Sequence, residues 1–151
     1  MSDKEIQCYI IPSVPMPLLL PLECIAEIVA KPAVEPLNDA AESWMKGHVN
    51  WRNQHLPVIS FSSLHDSSID ESFEKKPHLV VLNPIAKSSR KKYSGLLCYG
   101  DIEQVVVDRN LNYAHLDGDI DLTYIDGIVS LNKKDLIVPK LGTLGDQYTK
   151  F

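Results

Sequence analysis

The sequence predicts an all-β fold made of two related lobes, and three observations lead there. Short, β-rich apolar runs recur along the 151 residues, broken by ten prolines and seven glycines. No segment carries a long helical period. A pattern from the first half returns in the second, displaced by 80 residues. Short strands set off by turn signals belong to sandwiches and barrels. A repeat of this size gives lobes too small to bury a core unaided, so the two must pack together.

Taken in order, Gln7 to Ile11 is apolar and β-rich and stops at Pro12. Leu18 to Leu20 resumes after Pro15 and Pro17, which cannot lie inside a helix. Val49 to Phe61 reads as two strands around Arg52-Asn53-Gln54, a turn where Asn supplies positive φ. Leu79 to Leu82, Leu96 to Tyr99 and Leu136 to Val138 complete the apolar runs. Helix is expected only as one or two turns, at Glu23 to Val29 and at Ala40 to Met45, the second capped by Asn38 or Asp39. Leu64 to Pro77 is an exposed polar loop between the halves, and Arg90-Lys91-Lys92, flanked by Ser88 and Ser89, a solvated hairpin tip.

The repeat itself lies at about 44–64 and 124–144. Trp44-Met45-Lys46-Gly47-His48-Val49 matches Tyr124-Ile125-Asp126-Gly127-Ile128-Val129, and Leu56, Val58, Phe61 and Leu64 meet Leu136, Val138, Leu141 and Leu144. Asn53 falls opposite Lys133, both in the turn. A weaker echo sets Leu18 to Val29 beside Tyr93 to Val106.

Composition excludes several classes. Hydrophobic residues make up 44% and charged residues 23%, as in ordinary globular chains. The longest apolar stretch, Pro15 to Leu22, is far short of the roughly 18 residues a spanning helix needs. The first residues are polar and mixed in charge, unlike a signal peptide, which points to a cytoplasmic protein without membrane insertion. A net charge of −5 argues against nucleic acid. The excess is in the front half, where residues 1–76 carry 6 basic and 11 acidic side chains. Cys8, Cys24 and Cys98 form neither a disulfide framework nor a CxxC pair and read as small buried hydrophobes.

No reactive constellation emerges. The five histidines show no HxH, HxxxH or HExxH pairing, and no phosphate loop, dinucleotide fingerprint or nucleophile elbow is present. Asp117, Asp119 and Asp121 alternate, but the glycine falls at the second position of the run and Ile128 stands at the twelfth, so no calcium loop results. A binding protein without catalytic residues, metal or cofactor is the expectation. Arg52 is the residue to single out, presented on a turn beside Trp51 and Asn50, an Arg–aromatic pair of the kind enriched at interfaces. Two other classes stay open: a small β-barrel enzyme or ligand-binding barrel using His48, His55 and an acidic residue, and a self-associating structural module.

The run Trp44-Met-Lys-Gly-His-Val-Asn-Trp-Arg-Asn-Gln-His-Leu-Pro-Val-Ile-Ser-Phe resembles the defining segment of CheW-like chemotaxis coupling domains. Upstream, Ile25-Ala-Glu-Ile-Val is similar to that family's Val-x-Glu-Ile, and downstream Gly127-Ile-Val before Leu136-Ile-Val is similar to its second glycine segment. The likeness runs from about Ile6 to Leu144 in the right order. It implies a single domain over 1–151 of two five-stranded β-barrels packed side by side, with strands that can be exchanged between halves. It also implies a non-catalytic adaptor between a chemoreceptor's cytoplasmic tip and the regulatory domain of a CheA-like histidine kinase, with self-association possible. The partner-binding residues carried over are Arg52 and Asn50, Ile25, Glu27 and Ile28, and Leu56, Pro57 and Val58. Two departures point to a divergent accessory member: Asn53 replaces the family glycine, and Ser60 (or Phe61) its aspartate.

Overall fold

Ten strands and two short helices follow one another in the computed structural model, which describes residues 4–37, 42–69, 76–85, 92–110 and 120–151. The first half of the chain forms β1 (Glu5–Ile11), β2 (Leu18–Pro21), β3 (Ile25–Ala30), β4 (Met45–Trp51), β5 (Gln54–Ile59) and α1 (Phe61–His65). The second forms β6 (Pro77–Leu82), β7 (Ser94–Tyr99), β8 (Glu103–Asp108), β9 (Ile125–Leu131), β10 (Lys134–Pro139) and α2 (Leu141–Gln147).

The 80-residue offset holds residue by residue. β4 and β9 begin and end at equivalent positions, as do β5 and β10. Arg52 and Asn53 have φ of 47° and 61°, and their counterparts Asn132 and Lys133 have 51° and 66°. Positive φ at both central residues marks a type I′ turn, whose twist matches the flanking strands. The amide of Ser60 donates to the Trp44 carbonyl at 3.0 Å and that of Lys140 to the Tyr124 carbonyl at 2.8 Å, the same contact in each copy.

The strands are nevertheless shared between halves. One sheet has the order β8-β1-β2-β10-β9 and the other β3-β6-β7-β5-β4. Each half thus lends two strands to one sheet and three to the other. The halves join through two parallel pairings, Ile137 with Leu18 and Val58 with Gly95, and two antiparallel ones, β1 with β8 and β3 with β6.

Side-chain alternation sorts the apolar residues into three clusters. Cys8, Ile10, Leu19, Val107, Val129 and Leu136 fill the hollow of the first sheet. Val49, Trp51, Leu56, Val58, Leu79, Val81 and Leu97 fill that of the second. A larger cluster, including Ile11, Leu20, Ile59, Val80, Ile128, Ile137 and Tyr148, lies between the two sheets.

Closed barrels, the expected form, are not what the chain builds. Among the described residues β8 does not pair with β9, nor β3 with β4. Each five-stranded sheet curls until its edge strands share an apolar cluster, Val107 with Val129 in one case, and side chains rather than hydrogen bonds complete the curl. The all-β class stands.

The helices also fall elsewhere than expected. Glu23 to Val29 is a 3-10 turn at Leu22–Cys24 followed by β3. The β-branched Ile25, Ile28 and Val29 line up in antiparallel register with β6, and that pairing overrides any helical preference. Met45 opens β4, while residues 38–41 lie outside the described residues. The true helices follow β5 and β10. Ser60 caps the first, its side chain accepting from the Ser63 amide at 3.3 Å. The polar loop is helical up to His65 and strand from Pro77. Residues 70–75, the basic tip at 86–91, and Asp117 and Asp119 lie outside the described residues.

Candidate functional site

The β4–β5 hairpin raises Arg52 above the hollow of the second sheet. Its guanidinium carbon lies 4.6 Å from the centre of the Trp51 ring, and Nη2 meets Glu27 Oε1 at 3.0 Å. Glu27 reaches this position because β3 pairs it with Val81, whose side chain belongs to the hollow. Since β3 and β4 are the two edges of this sheet, the ion pair spans the opening that hydrogen bonds leave. Trp51 is buried beneath it and tilts against Tyr93 at 4.9 Å.

Beside the pair, Asn50 Oδ1 and His55 Nδ1 lie 3.1 Å apart, joining the two strands of the hairpin. The His48 and His55 rings stack at 4.2 Å, 11° from parallel. Face-to-face imidazoles do not converge their nitrogens on one ion, and among the described residues no three His, Cys, Asp or Glu side chains are grouped to hold a metal. A groove of about 300 Å³ runs along the same edge, lined by Val29, Lys31, Val34, Glu35, Asn50 and Trp51. The buried Nε1 of Trp51 finds no hydrogen-bond partner among the described residues.

The residues carried over from the resemblance fall into two sets. Arg52 and Glu27 meet at the surface, while Asn50, exposed on the same hairpin, faces His55 instead. Ile25 and Ile28 are half-buried along β3. Leu56, Pro57 and Val58 are buried in β5, where Leu56 and Val58 support the hairpin from the hollow. The Arg52–Trp51 pair expected from their adjacency is present as a stack. Glu35 and Lys31 on the groove were not singled out, and the sequence holds no signal for them.

The second lobe lacks the arrangement. β8 sets Glu103 opposite Ile10 as β3 sets Glu27 opposite Val81, but Asn132 stands where Arg52 does and offers it no cation. Both openings are closed by apolar contact, and among the described residues only the first lobe adds an ion pair across it. What the charged opening offers is recognition: a fixed cation on an aromatic face, a carboxylate, an amide and a groove.

A family model described as CheW-like domain matches residues 15–146. The chain belongs to that family. CheW-like domains are non-catalytic scaffolds of chemotaxis signalling. The chain is also similar in structure to the scaffolding protein TtCheW from Thermoanaerobacter tengcongensis. The TM-score is 0.74 at 18% identity, covering 92% of this chain and 91% of that one. No curated protein matches it significantly in sequence. The two departures from the CheW-like pattern are absorbed locally. Asn53 takes up the φ of 61° that the glycine would accept, and Ser60 caps α1 without a charge. Among the described residues no helix is long and apolar enough to cross a membrane.

Proposed function

We propose that this CheW-like chain works in the bacterial cytoplasm as the bridge between a chemoreceptor's cytoplasmic tip and the regulatory domain of a CheA-like histidine kinase. The observation that carries this reading is the Arg52–Glu27 pair, set at 3.0 Å across the open edges of a sheet at the positions matching the family's partner-binding motif. Its mechanism is geometric. Arg52, Asn50 and Glu27 fix partner choice, the half-buried Ile25 and Ile28 supply apolar contact, and Leu56, Pro57 and Val58 hold the hairpin in place. One patch of this size gives affinity on the order of micromolar, so assembly needs several such contacts.

The test is binding of the purified chain to the regulatory domain of each CheA-like kinase from its own source, and separately to receptor tips, with Arg52→Glu alongside. Saturable binding lost on Arg52→Glu, with the fold unchanged by circular dichroism, supports both bridge and site. Binding that ignores Arg52→Glu removes the site assignment. Failure to bind either class removes the bridge.

A further inference from the structure

The outer edge of β4 is covered at one point by a piece of backbone that no binding argument has used. The Glu35 amide donates to the His48 carbonyl at 2.8 Å, and the His48 amide donates to the Glu35 carbonyl at 2.9 Å. Together they make an isolated antiparallel bridge. The approach is so close that a Cβ at position 47 would lie 1.9 Å from the Glu35 carbonyl oxygen. Gly47, with φ of 130°, is therefore the one residue type that fits. Its repeat counterpart Gly127 has no such φ, and no isolated bridge covers β9 among the described residues. The two glycines match in sequence and differ in purpose.

Beyond the bridge the ladder stops. A strand's period of two puts the N–H and C=O of Asn50 on the same outward edge as those of His48, and no described backbone group meets them. Such an edge is a template for another strand. β8, another edge, is protected by charge: laid antiparallel on a second copy of itself, Glu103 falls opposite Asp108. β4 has no such protection. Its one ionised side chain besides histidine is Lys46, and in an antiparallel pairing centred on His48 that residue meets Asn50 of the second copy.

We propose that residues 32–36 are a strap that guards the β4 edge against pairing with β4 of a second copy of this chain, and that Gly47 is the positioning residue that admits the strap. Removing the strap converts the edge into a self-association site. In the symmetric antiparallel pairing centred on His48, His48 meets His48 and Asn50 meets Lys46 of the second copy.

Gly47→Ala tests the fit, and Glu35→Pro tests the strap while leaving β4 untouched, because proline deletes the donor to the His48 carbonyl. Two quantities are read, amide exchange at His48 and mass against concentration by sedimentation. In Gly47→Ala, at dilutions where sedimentation shows a monomer, the His48 amide is expected to exchange at least about tenfold faster than in the unmodified chain. Both variants are expected to form dimers at concentrations where the unmodified chain does not. Adding Asn50→Pro, which removes the outward donor, is expected to return Gly47→Ala to monomer. Faster exchange with no change in mass overturns the guard, and unchanged exchange overturns the role of Gly47. Should Gly47→Ala fail to fold, Glu35→Pro decides: a dimer supports the strap, a monomer overturns it.

Discussion

Arg52 Nη2 and Glu27 Oε1 meet at 3.0 Å across the two open edges of one curled sheet, and both side chains remain in solvent, 66% and 41% exposed. Arg52 does this from a backbone φ of 47°, a region that residues with a Cβ enter at a cost of about 1 kcal/mol. An exposed ion pair returns about 0.2–1 kcal/mol, and the stack on Trp51 adds about as much again. The terms nearly cancel. Stability therefore gives little reason for arginine at this turn, and recognition gives one.

Replacing Arg52 with Asn, the residue the second hairpin uses at the same φ, should accordingly leave unfolding stability within about 0.5 kcal/mol of the original. Kinase or receptor binding should be lost. Urea denaturation and a binding isotherm on the same preparation check this. A loss above about 2 kcal/mol would make Arg52 a structural residue first.

Leu56 should behave in the opposite way. It is 1% exposed in the hollow beneath the hairpin, and Leu56→Ala should cost about 3 kcal/mol through lost burial and a residual cavity. Binding should fall only in proportion to the folded fraction, so affinity measured well below the melting temperature should be almost unchanged. A drop in affinity for fully folded protein would mean that a partner reaches β5 directly.

These contrasts show what the chain discloses before it is folded. The repeat fixed β4, β5, β9 and β10 because apolar residues at every second position around a two-residue turn leave one workable register. The hairpin that presents Arg52 and Asn50 was legible for the same reason, whereas the ion pair of Arg52 with Glu27, on another strand, was not. The misplaced helix at Glu23 to Val29 had no such support, since its residues serve either structure and only pairing with β6 decides. Gly47 and Glu35 were illegible as a pair. Their contact bridges twelve residues of chain through backbone atoms, which leave no side-chain pattern.

The two sheets are also tied together by a single buried phenol. Tyr148, 1% exposed just after α2, donates its hydroxyl to the Gly95 carbonyl of β7 at 2.8 Å. Tyr148→Phe keeps the ring and deletes the bond, and should lower stability by about 1 kcal/mol, more if the carbonyl is left dry. Thermal unfolding of the variant checks it. No change would mean that water takes the hydroxyl's place.

Cys8 makes stability sensitive to alkali. Burial, followed by the influence of Cys24 and Glu23, pushes its thiol from an ordinary 9.0 up to about 11. Between these values the unfolded chain has released the thiol proton and the folded chain still holds it, so the folded state binds more protons and stability falls as pH rises. The contribution is complete below about pH 9 and is gone above about pH 11. Tyr124, also raised chiefly by burial, pulls in the same direction, so the comparison must be with Cys8→Ala rather than with neutral pH alone. Urea midpoints for both proteins should differ least at high pH, because alanine removes the titration along with the thiol. Parallel curves would show that Cys8 ionises in the fold as readily as outside it.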